Sequence, residues 1–412
     1  MTSMYQKFRS EIAAGGAAED VTPDTKRQSA FIGIIMLALL LWLAIQSIWT
    51  FVFVLGLIVS VFLHEVGHFV TARWTGMKAT QFFMGFGPRV WSTHRKGVEY
   101  GVRAIPAGAF VRIIGMNNLD DVDPEEEPLA YRSKSYPRRL LVITAGSLMH
   151  MIIALALFAG VYATAGRLQE SGVVSVVALG EGTTPASQAG LQPGDTIVAI
   201  GPTPVDSRDE LVQAITAYDP GDQATVVYVR DDVQQSTTVT FAPNPSNPSV
   251  AYLGVASNSV DYVDVGLPEA VWRGFTDIGE TVVGSVKGVV TVLNPMNSIR
   301  HLTGQETSLE TRPTTLVGVS QIGGDIGRSD GFKGVLLLLA SVNVFVGIFN
   351  MFPLLPFDGG HAAIATYERA RSRRGKVYRA DISKMVPVAT TVVGLLVLLL
   401  VTGLYLDITK PL

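Results

Sequence analysis

Apolar residues along this chain gather into long uninterrupted blocks, not into the short alternations of half-buried strands or the 3.6-residue stripes of surface helices. The first block runs from Ser29 to Leu63 without a charged residue. As one helix it would be roughly 50 Å long against a hydrocarbon core of about 30 Å, so the pattern predicts two helices, from about Ala30 to Ile45 and from about Trp49 to Thr71. The break is placed near Gln46–Thr50, although no Pro or Gly marks it. Gln46-Ser47-Ile48-Trp49 is not a small-residue cleavage site, so the first helix is expected to stay as an anchor. Further spans are expected from about Leu140 to Thr164, Val335 to Leu355 and Val386 to Leu406, about five in all.

Polar stretches between the blocks set orientation and reveal other elements. Arg73–Arg139 carries 11 Lys and Arg and the short Glu368–Lys384 loop carries 7, against 8 over the long Gly166–Phe332 segment. The first two are expected in the cytoplasm and the third outside. Within the outer segment Val173–Val177, Ala224–Val229 and Thr237–Phe241 are β-rich and punctuated by Gly, Pro and Asp. Pro185-Ala186-Ser187-Gln188-Ala189-Gly190-Leu191-Gln192-Pro193-Gly194-Asp195-Thr196-Ile197 resembles the PDZ signature, and Ser207–Tyr218 matches the helix bordering a PDZ peptide groove. Such a fold receives an extended peptide at a sheet edge; an unrelated small β domain is the plainer alternative. Val271, Phe275, Ile278, Val282, Val286, Val289 and Leu293 recur at helical spacing, which predicts an amphipathic helix lying on the membrane or packing on the outer domain. In the cytoplasmic loop, Phe83–Pro88 and Val98–Ile114 alternate and turn like β-hairpins.

Composition sharpens this picture at three points. Of 412 residues 48% are hydrophobic and only 16% charged, as a polytopic membrane protein requires. A net charge of -3 provides no basic field, so no nucleic-acid partner is expected. With no cysteine in the chain, His, Asp and Glu are the strong metal ligands left.

His64-Glu65-Val66-Gly67-His68 sets two imidazoles one helical turn apart on one face, where they can share a zinc ion with Glu65 in reach as a base for water. HExxH is a low-information pattern, but this one falls about 14 residues into a hydrophobic span, roughly 21 Å along it. Ionisable residues at that depth are costly unless buried and used. Zinc needs a third protein ligand, and Asp358 is the best candidate. It ends the run Asn350-Met351-Phe352-Pro353-Leu354-Leu355-Pro356-Phe357-Asp358, where the prolines break the preceding helix. A plain helix-ending turn would use the same residue types.

Together these motifs resemble the site-2 protease family of intramembrane zinc metalloproteases, most closely the bacterial branch with a PDZ domain that cleaves anti-sigma factors. The resemblance covers about Val54 to the C-terminus. It implies one Zn2+ per chain held by His64, His68 and Asp358, with Glu65 as catalytic base. Asn350 and Pro353 match the family's Asn-Pro-Asp-Gly pattern and Asn343 another asparagine position of that span. They would bind the unwound substrate or its oxyanion, with interhelical hydrogen bonding equally open for Asn343. The strand around Gly108, Ala109 and Phe110 is the expected substrate clamp. The chain departs from the family at Ser147 and His150, where Ala-Gly-Pro-x-x-Asn is usual. His150 is expected to cap or pack, His361 to orient Asp358, and His94 and His301 to lie on the surface.

The implied fold class is a polytopic α-helical membrane protein of about five spans, with a membrane-associated β-hairpin loop and one extracytoplasmic PDZ-like α+β domain. The expected organisation is a cytoplasmic tail (1–29), an added first span (30–48), the first catalytic membrane segment (49–164) and the PDZ-like domain (165–255). An amphipathic connector (256–332), the second catalytic segment (333–406) and a tail (407–412) follow. The implied partners are the lipid bilayer and a single-span substrate already cut by another protease, in regulated intramembrane proteolysis at a bacterial inner membrane. A non-catalytic PDZ-bearing receptor or scaffold is the alternative; it would treat the metal motif as a relic.

Overall fold

The computed structural model describes residues 23–116, 120–180, 182–306, 308, 311–372 and 377–410; the expected N-terminal tail lies largely outside them. In chain order the first elements are α1 (Pro23–Gln46), α2 (Ile48–Trp74), β1 (Ala79–Arg95), β2 (Val98–Ile113) and α3 (Tyr136–Ala165). Next come β3 (Arg167–Leu179), α4 (Pro185–Gln188), β4 (Thr196–Ile200), β5 (Thr203–Pro204) and α5 (Arg208–Thr216). Strands β6 (Gln223–Arg230), β7 (Val233–Thr240), β8 (Ala242–Asn244), β9 (Asn247–Tyr252) and β10 (Val255–Val263) follow. Helices α6 (Leu267–Val292), α7 (Pro295–Thr303), α8 (Leu316–Asn350), α9 (Asp358–Arg371) and α10 (Val386–Thr409) complete the fold. Two compact units result, Met1–Val161 with Pro268–Leu412, and Tyr162–Leu267.

In the larger unit, α2, α3, α8 and α10 are the four helices among the described residues long and apolar enough to cross a membrane. The long N-terminal block does divide: Ser47 is extended and its hydroxyl accepts from Thr50 N, an N-cap that starts α2 without help from Pro or Gly. The apolar stretch of α1, Ala30–Gln46, is shorter than those four. Helix α8 carries a break at Gly331 (φ 65°, ψ -149°) and ends at Asn350. It stops short of the expected Leu355 because a residue before proline avoids helical backbone, and Pro353 follows closely.

The central helices approach by small residues, as helices in lipid do. A Cβ on Gly67 of α2 would lie 2.7 Å from the Ala145 carbonyl oxygen of α3. Phe53 is fully buried with Val335 and Leu339 of α8. In α6, Ala270, Gly274 and Ser285 are buried, while Val271, Phe275 and Val286 of the apolar face are exposed at the protein surface. The cause is again close approach, since a Cβ on Gly274 would lie 3.2 Å from Phe158 Cβ and 3.3 Å from Ala159 N of α3. His301, expected at the surface, is buried in α7, with Nε2 2.9 Å from Thr311 Oγ1.

Strands β1 and β2 form a two-stranded sheet with doubled register. Phe82 pairs with both Val111 and Tyr100, and Phe83 with both Phe110 and Gly101, so the first half of β1 lies between two stretches of β2. Gly85 and Gly87, at φ 89° and 76°, allow the turn within β1 that this requires.

The smaller unit is an antiparallel sheet of order β10-β3-β4-β6-β7 with β5 beside β4. Val174, Leu191, Ile197, Leu211, Val226 and Phe241 belong to its buried core. Asp195, 1% exposed, accepts from Gln192 N at 2.8 Å and pairs with Arg230 at 2.6 Å, which holds its carboxyl below the usual range. Strand β10 is an edge strand. Beside it runs a groove of about 420 Å³ lined by Arg208, Leu211, Val212 and Ile215 from α5 and by Leu253 and Val255.

Candidate metal centre and active site

Helix α2 presents His64 and His68 on one face, both buried, with Glu65 between them in sequence. Their Nε2 atoms lie 3.1 Å apart. Asp358, the first residue of α9, brings Oδ2 to 3.4 Å from His64 Nε2 and 3.3 Å from His68 Nε2. The aspartate reaches this point because α9 starts immediately after a tight turn. A Cβ on Gly359 would lie 2.2 Å from the Met351 carbonyl, and one on Gly360 2.5 Å from Leu355 N, so only glycine allows the turn to fold back on the helix. The far end of α9 is fixed to α3 by Arg139 and Glu368, whose side chains meet at 2.6 Å with 7% and 6% exposure.

The wall opposite is the backbone of α3. A Cβ on Gly146 would stand 2.4 Å from both His64 Cε1 and His68 Nε2. His68 Nδ1 donates to the Val142 carbonyl at 2.7 Å, which leaves the Nε2 lone pair facing His64 and Asp358.

Three donor atoms separated by 3.1, 3.3 and 3.4 Å fit one tetrahedral ion. Zinc bonds of about 2.0–2.1 Å at tetrahedral angles put neighbouring donors about 3.3–3.4 Å apart. Asp358 Oδ2 has no well-formed hydrogen bond despite its burial, as a carboxylate oxygen reserved for a cation would not. Glu65 Oε1 lies 4.0 Å from His64 Nε2, with the backbone of Val111 in β2 beside its carboxylate. The centre is therefore set in the apolar wall of a helix long enough to span a bilayer.

Residues 52–394 match Peptidase family M50. The chain belongs to that family, the site-2 proteases. It is accordingly a metalloprotease, and zinc is its metal. This M50 chain is 33% identical over 395 residues to the zinc metalloprotease Rip1 of Mycobacterium tuberculosis, covering 87% of this chain and 96% of that one. Rip1 of Mycolicibacterium smegmatis is also 33% identical, covering 87% and 97%. A putative zinc metalloprotease of Mesorhizobium japonicum, mll0638, is 28% identical, covering 75% and 86%. Among solved structures, the PDZ domain of an SdrC-like protein from Listeria monocytogenes aligns with 22% of this chain and 92% of its own, at 20% identity and a TM-score of 0.19. Family membership and the four apolar helices make this a multi-pass membrane protein.

Other expected residues fall into place unevenly in the M50 site. Gly108, Ala109 and Phe110 lie in β2 opposite β1, with the Phe110 ring 5.5 Å from that of Phe83 and Arg103 over both. This stretch has β1 on one side and, among the described residues, no further strand in its sheet. Asn350 ends α8, and Pro353 sits exposed in the turn to Asp358.

Of the two roles expected of Asn343, its contacts fit interhelical hydrogen bonding. It is 1% exposed, with Nδ2 bonded to Ser60 Oγ (3.1 Å) and Leu339 O (2.8 Å) and Oδ1 2.8 Å from His150 Nδ1. Every polar atom is engaged between helices. His361 makes no hydrogen bond to Asp358 among the described residues. It lines a small cavity with Tyr131, Arg139 and Glu368 instead. Gly146, Arg139 and Glu368 were not legible as site residues, because nothing in their local sequence records a contact across helices.

Proposed function

We propose that this M50 protease hydrolyses peptide bonds within or near the transmembrane segments of single-span proteins, with His64, His68 and Asp358 as zinc ligands and Glu65 as general base. The observation that carries the reading is the convergence of three donor atoms beside Glu65, two of them on an apolar helix. Zinc supplies Lewis acidity there, polarising a carbonyl and bringing the pKa of water toward neutrality. Glu65 takes the proton of the attacking water and returns it to the departing amine. The Val111 backbone beside it is placed to steady the carboxylate for both transfers.

A helical substrate hides its carbonyls in hydrogen bonds and must be extended first. The unpaired side of β2 at Gly108–Phe110, next to the Val111 backbone that touches Glu65, supports capture of the extended segment as an added strand. Asn350 and Pro353 contribute backbone and amide contacts from the turn that carries Asp358.

On this reading the cation-rich 73–139 loop is cytoplasmic, and the PDZ-like unit faces outward from a bacterial cell membrane. The groove between α5 and β10 then screens substrates by a newly cut end, so that anti-sigma factors or signal-peptide remnants are admitted only after trimming. Edge strand, apolar lining and Arg208 support that use of the groove.

Glu65→Gln is expected to keep stoichiometric zinc while cleavage of a single-span substrate in liposomes falls by at least about 10²–10⁴-fold. Undiminished cleavage would overturn the mechanism, and full zinc retention in His64→Ala would overturn the ligand set.

A further inference from the structure

A buried hydrogen-bond chain runs from the backbone of α2 to the edge of the metal centre, and its directions can be assigned. Ser60 Oγ donates to the Gly56 carbonyl at 2.9 Å and accepts from Asn343 Nδ2 at 3.1 Å. The same amide nitrogen donates to Leu339 O at 2.8 Å. Turning the Asn343 amide over would place its oxygen against the Leu339 carbonyl oxygen, so the nitrogen must face these two acceptors. Oδ1 consequently faces His150 Nδ1 at 2.8 Å and can only accept. His150 therefore carries a hydrogen on Nδ1, and in the neutral ring its Nε2 holds a bare lone pair.

The ring of His150 lies 4.9 Å from that of His64, centroid to centroid. With His64 Nε2 turned to the metal centre, His64 Nδ1 carries the hydrogen, and this atom is buried without a partner. Histidines that ligate metals almost always donate their second N–H, which fixes the ring and raises its basicity. His68 does so to Val142 O. A donor lacking an acceptor thus stands beside a ring whose free nitrogen can only accept.

We propose that His150 is the positioning residue for His64: its Nε2 accepts the His64 Nδ1 hydrogen, directly or through one water, and the Ser60–Asn343 chain fixes the tautomer that makes this possible. The proposal rests on His64 being a zinc ligand. It gives Asn343 a task inside the helix bundle and makes the departure at His150 functional.

The test uses the full-length protein in detergent, with zinc affinity measured by competition against a chromophoric chelator and thermal unfolding followed at saturating zinc. His150→Leu is expected to weaken zinc binding roughly 10- to 100-fold. His150→Gln can donate to Asn343 Oδ1 and offer an amide oxygen to His64, so it should retain affinity within a few-fold. Asn343→Leu should weaken zinc comparably to His150→Leu and add little in the double variant. Ser147→Ala, which removes a buried hydroxyl that has no hydrogen-bond partner among the described residues, should leave affinity unchanged.

Unchanged zinc affinity in His150→Leu overturns the proposal, whatever happens to KM or thermal stability. If that variant does not fold, His150→Gln losing affinity while Asn343→Leu keeps it overturns the proposal equally. His64→Ala separates the two levels: zinc retained there removes the ligand assignment itself, whereas zinc lost there and kept in His150→Leu removes only the role of His150.

Discussion

Arg139 at the start of α3 and Glu368 near the end of α9 are 229 positions apart and meet at 2.6 Å, almost fully buried. Glu368 also accepts from Ala380 N at 2.9 Å and faces Arg379 at 3.5 Å, so one carboxylate gathers three segments. Helix α9 begins with Asp358, which places the metal centre at one end of the helix and this ion pair toward the other. Removing one member of a buried pair costs about 3–5 kcal/mol because the other charge is left unmatched. Glu368→Gln should therefore lower the thermal midpoint and weaken zinc retention together. Replacing both residues by leucine should recover much of the loss in midpoint. Equal stability of wild type and Glu368→Gln would show that the pair holds nothing.

Gly146 faces the two histidines with no room for a side chain. In Gly146→Ala the added methyl must displace the imidazoles or part α3 from α2, an overpacking cost of about 1–3 kcal/mol. Since the strain falls on the ligands, zinc affinity should drop by roughly 5- to 150-fold at the 1.4 kcal/mol per decade of binding energy. Chelator competition on the purified variant measures this directly. Wild-type affinity would show that the helices adjust freely at this contact.

Acid should act on the smaller unit through Asp195. Its carboxyl is held below the ordinary range chiefly by the Arg230 hydrogen bond, against the opposing effect of burial. A carboxyl depressed on folding adds stability above its unfolded pKa of about 3.9 and loses that contribution as pH falls through the lower folded value. The sheet should accordingly resist opening above about pH 4 and loosen below it. Hydrogen exchange of residues 162–267 in the full chain, corrected for intrinsic rate, reports this. Asp195→Asn should be less stable near neutrality and lack the acid-dependent component.

Val212 is half exposed and lines the groove beside β10. A carboxylate placed there by Val212→Glu should disable the groove without disturbing the core. If the groove screens for trimmed substrates, this variant should cut an untrimmed single-span protein that the wild type refuses, at an unchanged rate for the trimmed form. Identical discrimination in both would argue against the filter.

The amino-acid sequence by itself determined the elements whose cause is local. Uncharged runs longer than a bilayer is thick mark helices anywhere, and α2, α3, α8 and α10 follow. HEVGH sets two imidazoles on one side with a carboxylate between them because i and i+4 share a helix face, whatever else the chain does. Pro353 and Pro356 announce the turn before Asp358, and the Pro185–Ile197 run announces the first helix and strand that follow β3 in the smaller unit. Tertiary structure decided what depends on contact between segments distant in sequence. Periodicity indicated an amphipathic α6, but the close approach of Gly274 to α3 decided which face is buried. The local pattern made Asn343 a candidate for substrate; Ser60 and His150, 283 and 193 positions away, turned it into a link between helices. The Asp358–His64 distance of 3.4 Å likewise has no counterpart in spacing along the chain. Local rules specify which residues can ligate a metal, while the crossing of α2 and α3 at Gly67 and Gly146, and the fold-back at Gly359 and Gly360, specify which of them meet.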